Sequence, residues 1–198
     1  MTVVPTALLG KTGSACGVAP RDRGFTFDGP LRRAVGCSGD TPWMPSWDRD
    51  PHAPAPNRPR KVGVCFIVEL DGGVLIDRRS DDGALAFTGG TLEDDETVTE
   101  GLARELREET GLEVEDLTFL GFFSDPQRLI GYTDGSVWPV LSFAFVVRPK
   151  PGRRPEFSDE SIELRVVTRR ELRDVPLTPV HRQIRDVYLA FDGKPVVA

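Results

Sequence analysis

Three glutamates lie close together near the middle of the chain, Glu105, Glu108 and Glu109. On an α-helix, at about 100° per residue, their side chains would occupy an arc of roughly 100°. Carboxylates in a partly buried groove repel one another and are driven towards protonation. A bound divalent cation removes that penalty, and oxygen ligands suit Mg²⁺ or Mn²⁺. The spacing therefore indicates a metal site, with a solvated acidic helix held by ion pairs as the alternative.

The helix that must carry these glutamates is marked at both ends. Thr97 followed by Glu100 fits a capping box. Gly111 fits a C-terminal stop, in which glycine takes the left-handed conformation. Good helix formers fill the interval, and together these signals predict a helix from Val98 to Thr110.

One face of the predicted helix is apolar, and the acidic edge overlaps it. Val98, Leu102 and Leu106 form the apolar stripe, and Glu109 projects almost in line with Leu102. A solubilising run of charge would normally lie opposite the buried face. We therefore expect the carboxylates to face a groove.

Apolar runs on both sides of the helix predict strands. Strands come first, the helix interrupts them, more strands follow and a second helix closes the chain, which is typical of a mixed α/β layer arrangement. A polar loop is predicted at 124–136. The predicted strands are 62–70, 74–79, 84–88, 117–123, 138–148 and 162–167, with a helical turn at 169–174 and the closing helix at 180–191.

Residues 90–112, GTLEDDETVTEGLARELREETGL, resemble the signature box of the Nudix hydrolases. That box runs Gly, five residues, Glu, seven residues, then Arg-Glu-hydrophobic-any-Glu-Glu-any-Gly-hydrophobic. The resemblance implies the α/β/α sandwich with a mixed sheet of that family. All the fixed positions are filled, by Gly90, Glu96, Arg104, Glu105, Leu106, Glu108, Glu109, Gly111 and Leu112.

The resemblance also implies an activity. Water would attack a phosphorus of a nucleoside diphosphate linked to another moiety X, such as a sugar or ADP-ribose, to give a nucleoside monophosphate and X-phosphate. Mg²⁺ is the expected cofactor, with Mn²⁺ as a substitute. One alternative is a nucleoside triphosphate pyrophosphohydrolase. Another, of a different class, is a nucleotide-sensing Nudix-fold module, although such modules tend to lose box carboxylates and none is missing here.

Residue roles follow from the resemblance in the same way. The three helix glutamates correspond to metal ligands, and the carbonyl of Gly90 corresponds to a further one. Glu96 and Arg104 are expected to pair and to hold the loop on the helix. The general base differs between subfamilies, so it is either Glu105 or a carboxylate from a later loop, where Glu160 is favoured over Asp159 and Glu163. The alternative for that later group is a solvated loop.

Several residues are candidates for binding the substrate. Arg79 ends the second predicted strand, where the family often places a phosphate-contacting arginine. Arg78 precedes it, and side chains alternate along a strand, so only one of the two can face the site. Arg128 is a second anion-binding candidate, with an ordinary surface arginine as the alternative. Tyr132 is a candidate for stacking on a base, and His181 is not expected to be catalytic.

Composition separates residues 1–60 from residues 61–198. The first stretch holds nine of the 17 prolines and shows no sustained helical or alternating pattern. It predicts an irregular, Pro/Gly-rich N-terminal extension before a Nudix domain at 61–198. Trp43 and Trp47 lie in this extension. We expect them to pack against the catalytic domain, with a partner or substrate contact as the alternative.

The composition also limits the partners. A net charge of −6 argues against binding nucleic acid. No apolar run is long enough for a membrane helix, and the N-terminus makes a poor secretory signal, so a cytoplasmic location is expected. Three cysteines are too few and too scattered for a disulfide framework or a zinc site. The expected partner is a small nucleotide, and the oligomeric state stays open, with a homodimer among the options.

Overall fold

A curled mixed sheet carries the fold, and two helices pack on its faces. The structure is a computed structural model that describes residues 45–156 and 158–198. In these residues the sheet has nine strands. The strands are β1 (Ser46–Asp48), β2 (Lys61–Leu70), β3 (Gly73–Arg79), β4 (Leu85–Ala86), β5 (Val114–Phe123), β6 (Arg128–Gly131), β7 (Val137–Pro149), β8 (Ser161–Val167) and β9 (Val196–Val197), and the helices are α1 (Val98–Thr110), α2 (Pro179–Ala190) and a short 3-10 helix (Glu171–Asp174).

The long strand β7 organises the sheet. It runs parallel to β2 and antiparallel to β5 and β6. Strand β3 forms a hairpin with β2 and pairs antiparallel with β8 and β4. The parallel pair β2–β7, within an otherwise mostly antiparallel set, makes the sheet mixed, as predicted.

Two apolar layers lie on opposite faces of the sheet. Side chains alternate along β2, so Val64 and Phe66 pack with α1, whereas Cys65 and Ile67 pack with α2. Each helix therefore buries its apolar stripe against one face. The α/β/α arrangement expected from the sequence is confirmed.

The local signals located the first helix well. Helix α1 spans Val98–Thr110, the predicted range. The capping box between Thr97 and Glu100 is formed, and Gly111 takes the left-handed conformation at φ 67°. The strands predicted from apolar runs are present, with ends that differ by a few residues.

The predicted polar loop at 124–136 is wrong over part of its length. Arg128–Gly131 forms β6, which pairs with β7 on one side and with β1 on the other. Strand β7 follows β6 directly and forms a hairpin with it, whereas β1 is short and distant in sequence. The tight turn that follows is held by the N–H of Tyr132, which donates to the carbonyl of Ser136 at 2.9 Å.

Most of the predicted N-terminal extension lies outside the described residues, and so does Trp43. Within the described part, Trp47 belongs to β1 and packs against Gly131, where an added Cβ would lie 3.0 Å from the indole ring. This contact is of the kind expected for Trp47. The domain boundary near residue 60 stays a prediction.

The capping box of α1 provides a test of local stability. Thr97→Ala removes the oxygen that accepts the N–H of Glu100 at 3.3 Å and the hydroxyl that donates to its carboxylate at 2.7 Å. We expect the free energy of unfolding to fall by about 1 kcal/mol. Chemical denaturation measures the change. A variant as stable as the wild type would show that the cap contributes nothing.

Candidate active site

One cavity of about 650 Å³ opens where β2, β3 and α1 meet residues 88–91, the segment that leads into the Nudix-like box. Antiparallel bridges run from Phe66 to Thr88 and from Gly63 to Thr91, so this segment lies along β2. The cavity is strongly acidic. Its charged lining residues are Asp77, Asp82, Glu93, Glu105, Glu108, Glu109 and Glu160, against Lys61, Arg79 and Arg104.

Glu109 is the most strongly perturbed of these carboxyls. Its Oε2 accepts the N–H of Gly89 at 2.9 Å. Burial raises the pKa of Glu109 to about 8, and the charges of Glu105 and Asp77 add to the increase although the Gly89 hydrogen bond opposes it. An ionised Glu109 is therefore costly here without a cation.

Glu105 lies directly over Gly90. A Cβ on Gly90 would overlap the Glu105 carboxylate, so only glycine leaves room for this side chain. Burial raises the pKa of Glu105, and the Arg104 guanidinium, 3.0 Å away, opposes the increase. The carbonyl of Gly90 accepts the N–H of Val64 at 2.9 Å, which fixes its position relative to β2.

Arg104 ties the box loop to the helix. Its Nε and Nη2 contact the carboxylate of Glu96 at 3.0 and 2.7 Å, and its Nη2 also donates to the carbonyl of Thr91 at 3.2 Å. The hydrogen bond from Arg104 lowers the pKa of Glu96. Its Nη1 reaches Glu108 at 3.1 Å. These are the contacts that a supporting role for Glu96 and Arg104 requires.

Of the two arginines at the end of β3, Arg79 lines the cavity and Arg78 is exposed. The Nε of Arg79 donates to Asp81 at 3.0 Å and lies 3.7 Å from Asp82. A phosphate in the cavity would compete with these two carboxylates for the guanidinium.

Arg128 is not among the residues that line the cavity. Its side chain is fully buried, donates through Nη2 to the carbonyl of Val180 at 2.9 Å and lies 5.4 Å from the centre of the Phe123 ring. Strand β6 directs it inward between the sheet and α2. The side chain therefore lies away from the cavity, and the anion-binding role suggested for Arg128 stays a prediction.

Tyr132 does line the cavity, and it lies beside a lysine that the sequence did not single out. Lys61 donates to the Tyr132 hydroxyl at 3.0 Å. Its ammonium also lies 4.6 Å from the Tyr132 ring centre and 4.7 Å from that of Trp138. Side chains alternate along a strand, so Lys61 lies on the same face of β2 as Gly63 and Cys65. This alternation was the sequence signal that could have identified Lys61.

His181 is a second lining residue to which no role was assigned. Its Nδ1 accepts the N–H of Phe87 at 3.3 Å, which leaves the proton of the neutral ring on Nε2. Burial lowers the pKa of His181 to about 3, and the positive charges of Arg128 and Arg79 add to the decrease. His181 is therefore a neutral hydrogen-bonding group at neutral pH.

This depressed pKa predicts a specific loss of stability in acid. The unfolded chain takes up a proton near pH 6.5 and the folded chain only near pH 3, so stability falls as the pH drops below about 6.5. Between pH 7 and pH 5 the wild type should lose about 1–2 kcal/mol more than His181→Asn, which keeps an acceptor and does not titrate. Urea denaturation at both pH values measures this difference. Equal losses in both proteins would contradict the prediction.

The cavity supplies carboxylate oxygens, the kind of donor that a divalent cation binds, but most of these side chains are engaged by other groups. Among residues 45–156 and 158–198, no three acidic, histidine or cysteine side chains are grouped closely enough to hold an ion. Arg104 engages Glu105 and Glu108, and the Gly89 amide engages Glu109. However, Asp77 keeps a buried Oδ1 without a hydrogen-bond partner in the same residues. Oxygen donors of this kind suit Mg²⁺ or Mn²⁺.

Comparisons with known proteins agree with the box and the fold. The sequence model described as the NUDIX domain matches residues 57–190. An ADP-ribose pyrophosphatase of Methanocaldococcus jannaschii is 40% identical over 70 residues, which cover 34% of this chain and 41% of that protein. The nucleoside triphosphatase NudI of Enterobacter sp. is 29% identical over 126 residues, covering 60% of this chain and 89% of the relative.

A solved structure shows the same fold. The NUDIX hydrolase from Nitrosomonas europaea superposes with a TM-score of 0.55 at 22% identity, covering 71% of this chain and 77% of that one. The chain spans less than half the length of the Methanocaldococcus relative. None of the helices in the described residues is long and apolar enough to cross a membrane.

Proposed function

Because the chain belongs to the Nudix hydrolase family, we propose that it hydrolyses the diphosphate linkage of a nucleoside diphosphate joined to another moiety X. The observation that carries this proposal is the cavity in which Glu105, Glu108 and Glu109 of α1 meet Gly90. Nudix hydrolases use divalent metal ions, and these four residues would hold Mg²⁺, or Mn²⁺ in its place. A bound cation would orient the diphosphate and neutralise the charge that grows during the reaction.

The other charged groups of the cavity have proposed tasks of their own. Glu160, on the rim next to β8, accepts the proton of the attacking water, and Glu105 is the alternative base. Arg79 contacts a phosphate after leaving Asp81 and Asp82. Tyr132, which lines the same cavity, stacks on the base, with Lys61 beside it. Glu96 and Arg104 hold the box loop in place.

The names of the relatives bear on the substrate in two ways. One is called an ADP-ribose pyrophosphatase and is the more similar over its short match, which supports a nucleoside diphosphate linked to X. The other is called a nucleoside triphosphatase and matches over most of its own length. That coverage supports a nucleoside triphosphate pyrophosphohydrolase as the second candidate.

A substrate panel tests the proposal. Release of nucleotide and phosphate is measured for nucleotide sugars, ADP-ribose, dinucleotides and nucleoside triphosphates, with and without Mg²⁺. We expect metal-dependent turnover of the X-linked diphosphates. Turnover of triphosphates alone would establish the second candidate. No turnover, together with tight metal-dependent nucleotide binding, would overturn both in favour of a sensor module.

A further inference from the structure

Strand β3 brings into the cavity a carboxylate that lies outside the Nudix box. Asp77 is only 8% exposed, and its Oδ1 has no hydrogen-bond partner among the described residues. It takes part in none of the ion pairs found in that part of the chain. Arg79, which lies on the same strand and lines the cavity, is engaged by Asp81 and Asp82 instead.

The register of β3 places Asp77 on the side of the strand that faces α1, the helix that carries Glu105 and Glu109. Leu75, two residues earlier and therefore on the same side of the strand, packs in the cluster that contains Leu102 and Leu106 of α1. Glu105 and Glu109 belong to that helix and line the same cavity as Asp77. The charge of Asp77 is close enough to raise the pKa of Glu109.

A carboxylate in this position is unfavourable for the protein alone. Burial raises the pKa of Asp77, and the charge of Glu160 adds to the increase although the Ser161 hydroxyl and Arg79 oppose it. A buried acceptor without a partner costs about 1–3 kcal/mol, and more when it is charged. Asp77 lines a cavity in which the charged groups are mostly negative. A cation is the group that would satisfy it.

We propose that Asp77 is a further ligand for a divalent cation, acting from β3 together with Glu109 of α1. This inference rests on the proposed function in one respect: both require a cation in this cavity. It extends the set of ligands beyond the helix and the Gly90 carbonyl. The class of ligand is a hard divalent ion, Mg²⁺ or Mn²⁺, because both contributing groups are carboxylates.

Binding of Mn²⁺ without substrate tests the proposal separately from activity. Free Mn²⁺ is followed by electron paramagnetic resonance as the ion is titrated into the wild type, Asp77→Asn and Glu115→Gln. Glu115 is an exposed carboxylate on β5 and serves as the control of equal charge change. We expect Asp77→Asn to bind Mn²⁺ at least about tenfold more weakly, or to lose one bound ion per chain, and Glu115→Gln to match the wild type.

Thermal unfolding distinguishes ligation from a structural role. We expect Asp77→Asn without metal to be at least as stable as the wild type, and to gain less stability from Mn²⁺. Ser161→Ala, which removes the neighbouring hydroxyl, should keep the Mn²⁺ affinity of the wild type. If Asp77→Asn does not fold, Asp77→Ser provides a second neutral variant for the same titration.

The outcomes separate this inference from the proposed function. A binding curve for Asp77→Asn that matches the wild type would overturn the inference, even if the enzyme hydrolyses diphosphates. A wild type that binds no Mn²⁺ would overturn it too. Weaker Mn²⁺ binding by Asp77→Asn supports it, even in a protein that turns over no member of the substrate panel.

Discussion

Glu109→Gln will lower kcat/KM for metal-dependent hydrolysis by about 10²- to 10⁴-fold. Glutamine keeps the size of the side chain and an oxygen that can accept the Gly89 N–H, so the fold should persist. The charge that would balance a divalent cation is lost. Because that ion would stabilise charge developing on the diphosphate, we expect kcat to fall more than KM rises.

Steady-state kinetics on the best substrate of the panel, over a range of Mg²⁺ concentrations, measure this effect. Glu113→Gln is the matched control, because Glu113 lies just beyond α1 and pairs with Lys150 at 2.9 Å on the surface. It should retain activity within about twofold, as expected for loss of an exposed ion pair. A Glu109→Gln enzyme as active as this control would refute a role for Glu109 in the reaction.

Gly90→Ala should lower kcat/KM by about 10²-fold with little change in stability. The new Cβ would occupy the space of the Glu105 carboxylate. The carboxylate is the end of a flexible side chain, so it can move away, but a displacement of about 1 Å in a catalytic group costs about 10²-fold in rate. Gly90 is not among the glycines with positive φ, so alanine fits its backbone conformation.

Gly63→Ala is the informative comparison for this prediction. Its Cβ would lie 2.6 Å from the carbonyl oxygen of Gly90, which is backbone and cannot rotate away. We expect this variant to lose about 1–3 kcal/mol of unfolding free energy as well as activity. Kinetics and chemical denaturation on both proteins measure the contrast. Full activity in Gly90→Ala would show that the position of Glu105 is not critical.

The sequence was most informative where the signals are local. The capping box at Thr97 and the stop at Gly111 both act within a few residues, so the bounds of α1 could be read directly. The periodicity of the helix then placed Glu105 and Glu109 at the edge of its buried face. The structure has them there, lining a cavity with Glu108.

The remaining features depend on pairing between distant residues. Strand β6 pairs with the neighbouring β7 and also with β1, which is distant in sequence, and Arg128 lies buried on it. Asp77 enters the cavity because β3 presents its face to α1. Lys61 meets Tyr132 only when β2 lies beside the start of β7. No periodicity or motif in a single sequence predicts contacts between side chains that are distant along the chain.

Strands β1 and β9 have a practical consequence for anyone preparing a shorter version of the protein. Both lie outside residues 57–190, the range that matches the family, yet β1 covers β6 and β9 covers part of β5. Trimming to the family limits would leave two unpaired strand edges, which favour self-association. It would also remove Ser46 from the wall of the cavity. Such a fragment would be expected to aggregate, and any change in its substrate selectivity could be mistaken for a property of the Nudix box.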